Sequence, residues 1–298
     1  MKKVYLILEN GKVFEGESIG AEGEVIGEVV FTTAMTGYLE TLTDQSYYGQ
    51  IVCQTFPLIG NYGVIEEDFE SAGSSVKGYI VRDICDTPSN FRSQGKLDDM
   101  LKKLGVVGIC GIDTRELTKI VRESGVLNGI ITDSPTLSAD KKKALDSYVI
   151  KDAVASVSCK EKRVVCSTDK PVKRVALLDY GIKRNIIEKL TRRGCEVTVF
   201  PCDTSAEEII KFKPDGIMLS NGPGDPKENS YAIEQVGKLV ASGIPMFGIC
   251  IGHQMLALSQ GAKTYKLKYG HRGGNQPVKD VNTGRVYVST QNHGYAVE

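Results

Sequence analysis

The 298 residues are 41% hydrophobic and 25% charged, a composition that supports one large or two ordinary globular domains with a sizeable core. Thirty-seven basic and 37 acidic side chains cancel, so net charge provides no attraction for nucleic acid or an anionic membrane, and neither is expected as a partner. No apolar run reaches the length of a secretory core or a membrane span, and the eight cysteines form no Cys-x-x-Cys pair; no metal centre or disulfide framework is expected, and a reducing cytoplasm is.

In chain order, the first predicted feature is a hairpin. Residues 4–8 and 12–14 flank Asn10-Gly11, a pair suited to a tight turn whose two central residues both need positive φ. Residues 25–32 read as a further strand. The stretch 33–61 is rich in Gly, Thr, Tyr, Ser and Gln, which predicts ordered loops and short strands such as 50–56, and a place where something polar can bind. Helix 96–104 sets Leu97, Met100, Leu101 and Leu104 on one face and stops at Gly105. Helix 114–124 starts behind Asp113 as N-cap, carries Glu116 at capping-box spacing, and buries Leu117, Ile120 and Val121. A more polar helix, 138–148, bears Lys141-Lys142-Lys143 as a solvated face.

Between 158 and 173 the helical period stops and charge gathers, which marks a boundary. The expected organisation is a mixed α/β N-terminal domain over 1–157, a linker over 158–173, and a doubly wound, mostly parallel-sheet α/β domain over 174–298. In that second half, strands 174–178, 196–200, 216–220 and 245–249 alternate with helices 183–193, 205–212, 230–242 and 251–260. Ligands in such sheets bind beyond the carboxyl ends of the strands. Both Ser220-Asn221-Gly222-Pro223-Gly224-Asp225-Pro226 and Cys250 fall at such ends.

Cys250 stands in Gly248-Ile249-Cys250-Ile251-Gly252-His253-Gln254, where a strand stops and a helix begins. Glycines two before and two after relieve crowding at a strained, exposed side chain, the pattern of a nucleophile elbow. A helix N-terminus also favours a thiolate, so a lowered thiol pKa is expected. A thiolate attacking an acyl or amide carbonyl creates an oxyanion that needs donors already in place. The N–H of Ile251 and the loop Gly222-Pro223-Gly224 are positioned to supply them. No general base stands out among the three histidines. His253 shares the helix that the elbow aims away from, His271 lies in a predicted loop, and His293 follows a predicted strand, 285–290, with no acid placed to orient it. These residues alone leave open a cysteine hydrolase acting on esters or amides and a catalytically inert interaction protein.

Taken together, the elbow, the Asn221–Pro226 loop and Gln291-Asn292-His293-Gly294 resemble the class I glutamine amidotransferases. Three stretches of the first half, Gly37-Tyr38-Leu39-Glu40-Thr41-Leu42-Thr43-Asp44-Gln45-Ser46-Tyr47, Pro57-Leu58-Ile59-Gly60-Asn61-Tyr62-Gly63 and Gly111-Ile112-Asp113-Thr114-Arg115-Glu116-Leu117-Thr118, are similar to the small, glutamine-hydrolysing chains of carbamoyl-phosphate synthetases. The resemblance implies that Cys250 is the nucleophile and that Ser46, Gly222, Gly224, Ile251, Gln254, Asn292, Gly294 and Tyr295 bind L-glutamine. It further implies no cofactor in this chain, and a heterodimer with a large chain that holds ATP and Mg, takes up the ammonia and makes carbamoyl phosphate from bicarbonate for arginine and pyrimidine synthesis. Members of this family end with a His-x-Glu segment that supplies the base and its carboxylate. The sequence stops at Glu298 without one, and a truncated chain with weak or no turnover is expected.

Overall fold

A computed structural model describes residues 2–166 and 168–298. It divides into two compact units: one comprises the chain up to Thr43 with Tyr47–Ile150 and Lys268–Gly294, the other Asp44–Ser46, Lys151–Leu267 and Tyr295–Glu298.

The first unit contains β1 (Lys3–Leu8), β2 (Val13–Gly20), β3 (Val25–Thr32), α1 (Tyr38–Thr43), β4 (Gln50–Gln54), β5 (Leu58–Ile59), β6 (Gly78–Ile80), β7 (Asp83–Ile84), α2 (Leu97–Lys103), β8 (Val107–Cys110), α3 (Thr114–Ser124), β9 (Leu127–Thr132) and α4 (Ala139–Asp146). Seven strands close into a barrel in the order β1-β2-β8-β6-β4-β3-β9, while β5 and β7 pair separately. Period-two alternation builds two cores from one wall. Ile51 and Cys53 of β4 join a cluster drawn from the strands around the barrel, whereas Val52 between them joins a cluster that α1 and α2 cover with Tyr38, Leu39, Leu42, Leu97 and Leu101. Helix α3 adds Leu117 and Val121, both fully buried, to the first cluster. Its start is fixed as its sequence indicates, with Asp113 Oδ1 accepting the Glu116 N–H at 2.9 Å.

The first hairpin differs from expectation in its turn. Gly11 alone takes a positive φ (+86°), donating its N–H to Leu8 O at 2.9 Å, and the Leu8 N–H donates to Lys12 O at 2.9 Å. The loop is therefore three residues long with glycine at the bulge position, which leaves Asn10 in ordinary backbone space.

The second unit holds α5 (Ala153–Val157), β10 (Arg163–Val165), β11 (Lys173–Asp179), α6 (Arg184–Thr191), β12 (Cys195–Pro201), α7 (Ala206–Phe212), β13 (Gly216–Leu219), α8 (Ser230–Ala241), β14 (Met246–Gly248) and α9 (Ile251–Ser259). The sheet order is β10-β12-β11-β13-β14, parallel except for β10. The expected linker is thus part of the fold: β10 lies within 158–173 and pairs Arg163 with Val199 and Val165 with Val197. Three residues of short alternation amid charge carry too little period to be seen in the sequence. Chain order runs outward from β11 in both directions, so the topological switch falls between the carboxyl ends of β11 and β13. Ile187 of α6 packs on one face with Leu177, Val197 and Val199; α7, α8 and α9 pack on the other through Ile209, Val236, Leu239 and Met255.

Two long strands, β15 (Thr264–Lys279) and β16 (Val286–Val297), form a two-stranded sheet. The expected loop around His271 is part of β15, its glycines absorbed as irregular positions at Gly270 (φ +75°) and Gly273 (φ +133°). No helix among the described residues is long and apolar enough to cross a membrane.

Because Leu117 is fully buried where α3 meets the barrel cluster, Leu117→Ala is expected to cost about 2–5 kcal/mol. Urea unfolding followed by far-UV circular dichroism measures it; a change within about 0.5 kcal/mol, the size of an ordinary surface effect, would contradict this packing.

Candidate active site

Sheet β13-β14 and helix α9 shape the turn at Cys250. The residue has φ +53° and ψ −114°, a conformation that side-chain-bearing residues rarely adopt, and it occupies the N-cap of α9. Neighbouring backbone holds it there. The Ile249 N–H donates to Leu219 O at 3.0 Å, the Gly252 N–H to Ser220 O at 3.2 Å, and the Gln254 N–H to Cys250 O at 3.0 Å. Both flanking glycines are sterically required. A Cβ on Gly248 would lie 2.6 Å from the His253 nitrogen, and one on Gly252 would lie 2.5 Å from Leu219 O. The two-before, two-after glycine pattern is therefore the signature of a turn pressed against β13.

The loop after β13 approaches as closely. A Cβ on Gly222 would sit 1.9 Å from Tyr180 O, so only glycine fits, and Gly224 takes φ +84°. Ser220 accepts the Tyr180 N–H at 2.9 Å, and Asn221 ties three segments together. Its Oδ1 accepts the Lys183 N–H at 3.1 Å, while its Nδ2 donates to Gly181 O and to Ser46 Oγ, both at 3.0 Å. Asn221 thus fixes Ser46, which belongs to the short segment Asp44–Ser46 within this unit. Gln254, 5% exposed, donates from Nε2 to Tyr295 O at 2.7 Å.

Seven of the nine residues singled out for the site, Ser46, Gly222, Gly224, Cys250, Ile251, Gln254 and Tyr295, lie in one compact unit; Asn292 and Gly294 belong to the barrel unit. His271 and His293 also belong to the barrel unit, with His271 Nδ1 3.1 Å from His293 Nε2. His253 is exposed on α9.

The pattern of residues did not identify Asp44 and Lys183 as functional. Asp44 is 2% exposed, and its Oδ2 pairs with Lys183 Nζ at 3.0 Å. Both act on the Cys250 thiol. The expected lowering of that thiol's pKa does not occur: removal of the sulfur from water pushes it up to about 11, and the Asp44 carboxylate adds to the rise. The N–H groups of Ile251 and Gly222 and the Lys183 ammonium oppose this, but burial prevails. Lys183 stands just beyond the carboxyl end of β11, a position that the switch-point rule would have flagged, whereas Asp44 comes from far upstream and is brought here only by the tertiary fold.

A family model described as carbamoyl-phosphate synthase small chain, CPSase domain, matches residues 6–131, and one described as glutamine amidotransferase class-I matches residues 176–298. The carbamoyl phosphate synthase small chain of Listeria innocua is 51% identical over all of this chain, which spans 81% of that protein. The chain belongs to the carbamoyl-phosphate synthase small-chain family. Small chains of the same description from Clostridium perfringens and Fusobacterium nucleatum are 51% and 49% identical, over 99% and 98% of this chain and 83% and 81% of theirs. The family's CPSase domain corresponds to the barrel strands and α3, and its class I amidotransferase domain begins within β11 and carries the elbow and the Gly222 loop.

A thiol raised to about 11 has only about one part in ten thousand as thiolate at pH 7, and deprotonation rises with pH. Alkylation of Cys250 by iodoacetamide, followed by peptide mass spectrometry, is therefore expected to accelerate about tenfold per unit between pH 7 and 10. A plateau beginning near pH 7 would show the thiol to be activated without help. Lys183→Met removes the opposing cation and is expected to slow alkylation roughly three- to tenfold at pH 8, against an unchanged rate if the ammonium does not act on the sulfur.

Proposed function

We propose that this chain hydrolyses L-glutamine as the small chain of a carbamoyl-phosphate synthase. The Cys250 Sγ attacks the side-chain carboxamide carbon, and the thiol proton passes to a base. The carbonyl oxygen becomes an oxyanion facing the Ile251 and Gly222 N–H groups, which already converge on the sulfur. Collapse breaks the C–N bond, and the returned proton leaves with the nitrogen as ammonia. Water then cleaves the γ-glutamyl thioester to glutamate and restores the thiol. The observation that carries this reading is the left-handed Cys250 turn with two backbone donors at its sulfur. Ser46, held by Asn221, together with Gln254, Tyr295, Asn292 and Gly294, is assigned to the substrate by family resemblance.

A thiol with a raised pKa needs a proton acceptor for attack. The resemblance assigns that role to a His-x-Glu segment, which does not occur after His293 in these 298 residues. Transfer of ammonia to a large chain that binds ATP and Mg and joins the nitrogen to bicarbonate, with carbamoyl phosphate serving arginine and pyrimidine synthesis in the cytoplasm, belongs to the proposal as well. Ammonia is protonated and dispersed in water unless handed on, which favours a permanent partner.

Incubation with glutamine is expected to leave a γ-glutamyl adduct on Cys250, detectable by intact-mass spectrometry after acid quench. Cys250→Ser is expected to lose the adduct and to lower ammonia release at least about 10³-fold. Unchanged ammonia release in Cys250→Ser, or acylation by simple esters with none by glutamine, would overturn the assignment.

A further inference from the structure

The stretch Pro57–Gly63 lies in the barrel unit, apart from the unit that carries Cys250, and its backbone anchors a loop. The Asp83, Cys85 and Ser89 N–H groups donate to the carbonyls of Pro57, Ile59 and Asn61 at 3.0, 2.8 and 3.0 Å. At the far end, the Gln94 N–H donates to Val64 O at 2.8 Å, and the Val64 N–H to Gly95 O at 3.0 Å. The tip is tied as well. Asn90 Oδ1 accepts the Arg92 N–H at 2.8 Å, Asn90 O accepts the Ser93 N–H at 3.0 Å, and Arg92 Nη2 donates to both Glu67 and Asp68 at 2.9 Å.

All this order presents one side chain to water. Phe91, between Asn90 and Arg92, is 97% exposed, and Leu58 in the anchoring stretch is 41% exposed. A lone exposed apolar residue on a slack loop means little. Here the loop is pinned on both flanks and at its tip, so burying Phe91 in a partner would cost little conformational entropy. Aromatic anchors flanked by polar groups dominate binding energy at interfaces, and Phe91 follows Ser89 and Asn90 and precedes Arg92 in the chain. One guanidinium faces two carboxylates there, and Asp86 lies on the same loop, so the rim is acidic.

We propose that Phe91 is an anchor that inserts into an apolar, basic-rimmed pocket on the large, ATP-using chain. The loop belongs to residues 6–131, the half matching the CPSase domain and not the amidotransferase domain, so it belongs to what distinguishes a synthase small chain from a glutaminase. The proposal rests on the functional reading above for the existence of that partner.

The test uses the full chain and the large carbamoyl-phosphate synthase chain of the same organism, with Kd measured by biolayer interferometry. Phe91→Ala is expected to weaken binding about 10- to 100-fold. Val281→Ala, at a site 85% exposed in the turn between β15 and β16, is expected to stay within about twofold, with both variants melting like the parent. A parent-like Kd for Phe91→Ala overturns the anchor alone, as does an effect confined to self-association. Failure of the parent chain to bind the large chain overturns the functional reading together with the anchor.

Discussion

The second unit depends on one steric constraint: β14 must become α9 in a turn that lies directly against the carboxyl end of β13. Gly252 meets the Leu219 carbonyl where no Cβ fits, and Gly248 meets the backbone of residues 252 and 253 in the same way. With both flanks pressed in, the residue between them takes a left-handed conformation, and Cys250 carries that strain. The Ile249 and Gly252 N–H groups bond back to Leu219 and Ser220, so the strain is supported by the sheet that buries Leu177, Leu178 and Leu219. A cysteine in this place is displayed by the architecture of the whole sheet.

Electrostatics at the sulfur follow from the same packing. A helix N-terminus and two backbone donors favour the thiolate, yet the packing around the half-buried Cys250 also shields its sulfur from water, and the latter effect is larger. Burial raises Cys53, Cys110 and Cys159 in the same direction, so thiol acidity alone does not single out Cys250. The combination of strained backbone, converging N–H groups and the Asp44–Lys183 pair does. Asp44 and Ser46 come from far upstream in the chain, yet they are integral to this unit. They are tied in by Lys183 and Asn221, one on each side of the switch point between β11 and β13. A thiol held in this way, with its pKa raised, suits the proposed reaction, in which attack waits for a positioned base.

Much of the fold was legible in residues whose partners are close in sequence. Helix α3 starts after Asp113 and ends before Gly125 because cap, stripe and stop lie close together, on either side of its 11 residues and within them. The alternation of β11 to α9 is visible for the same reason, as are the glycines around Cys250 and at Gly222, whose meaning is local crowding. Barrel closure was not legible. It depends on β1 pairing with β9, Tyr5 opposite Thr132, a contact between distant strands that neither strand's own period reveals. Strand β10 was hidden in a charged run, and His271 was hidden among glycines that bend a strand without ending it.

The sequence by itself determined helix α3, the alternating strands and helices from β11 to α9, and the elbow around Cys250, because these follow from spacing, Cβ crowding and side-chain chemistry. Tertiary structure alone decided the closure of the barrel, the entry of Asp44–Ser46 into the amidotransferase unit and the direction in which the Cys250 pKa moves. Each of these is a balance of burial, charge and hydrogen bonding between groups far apart in the chain, and that balance does not exist until they are brought together.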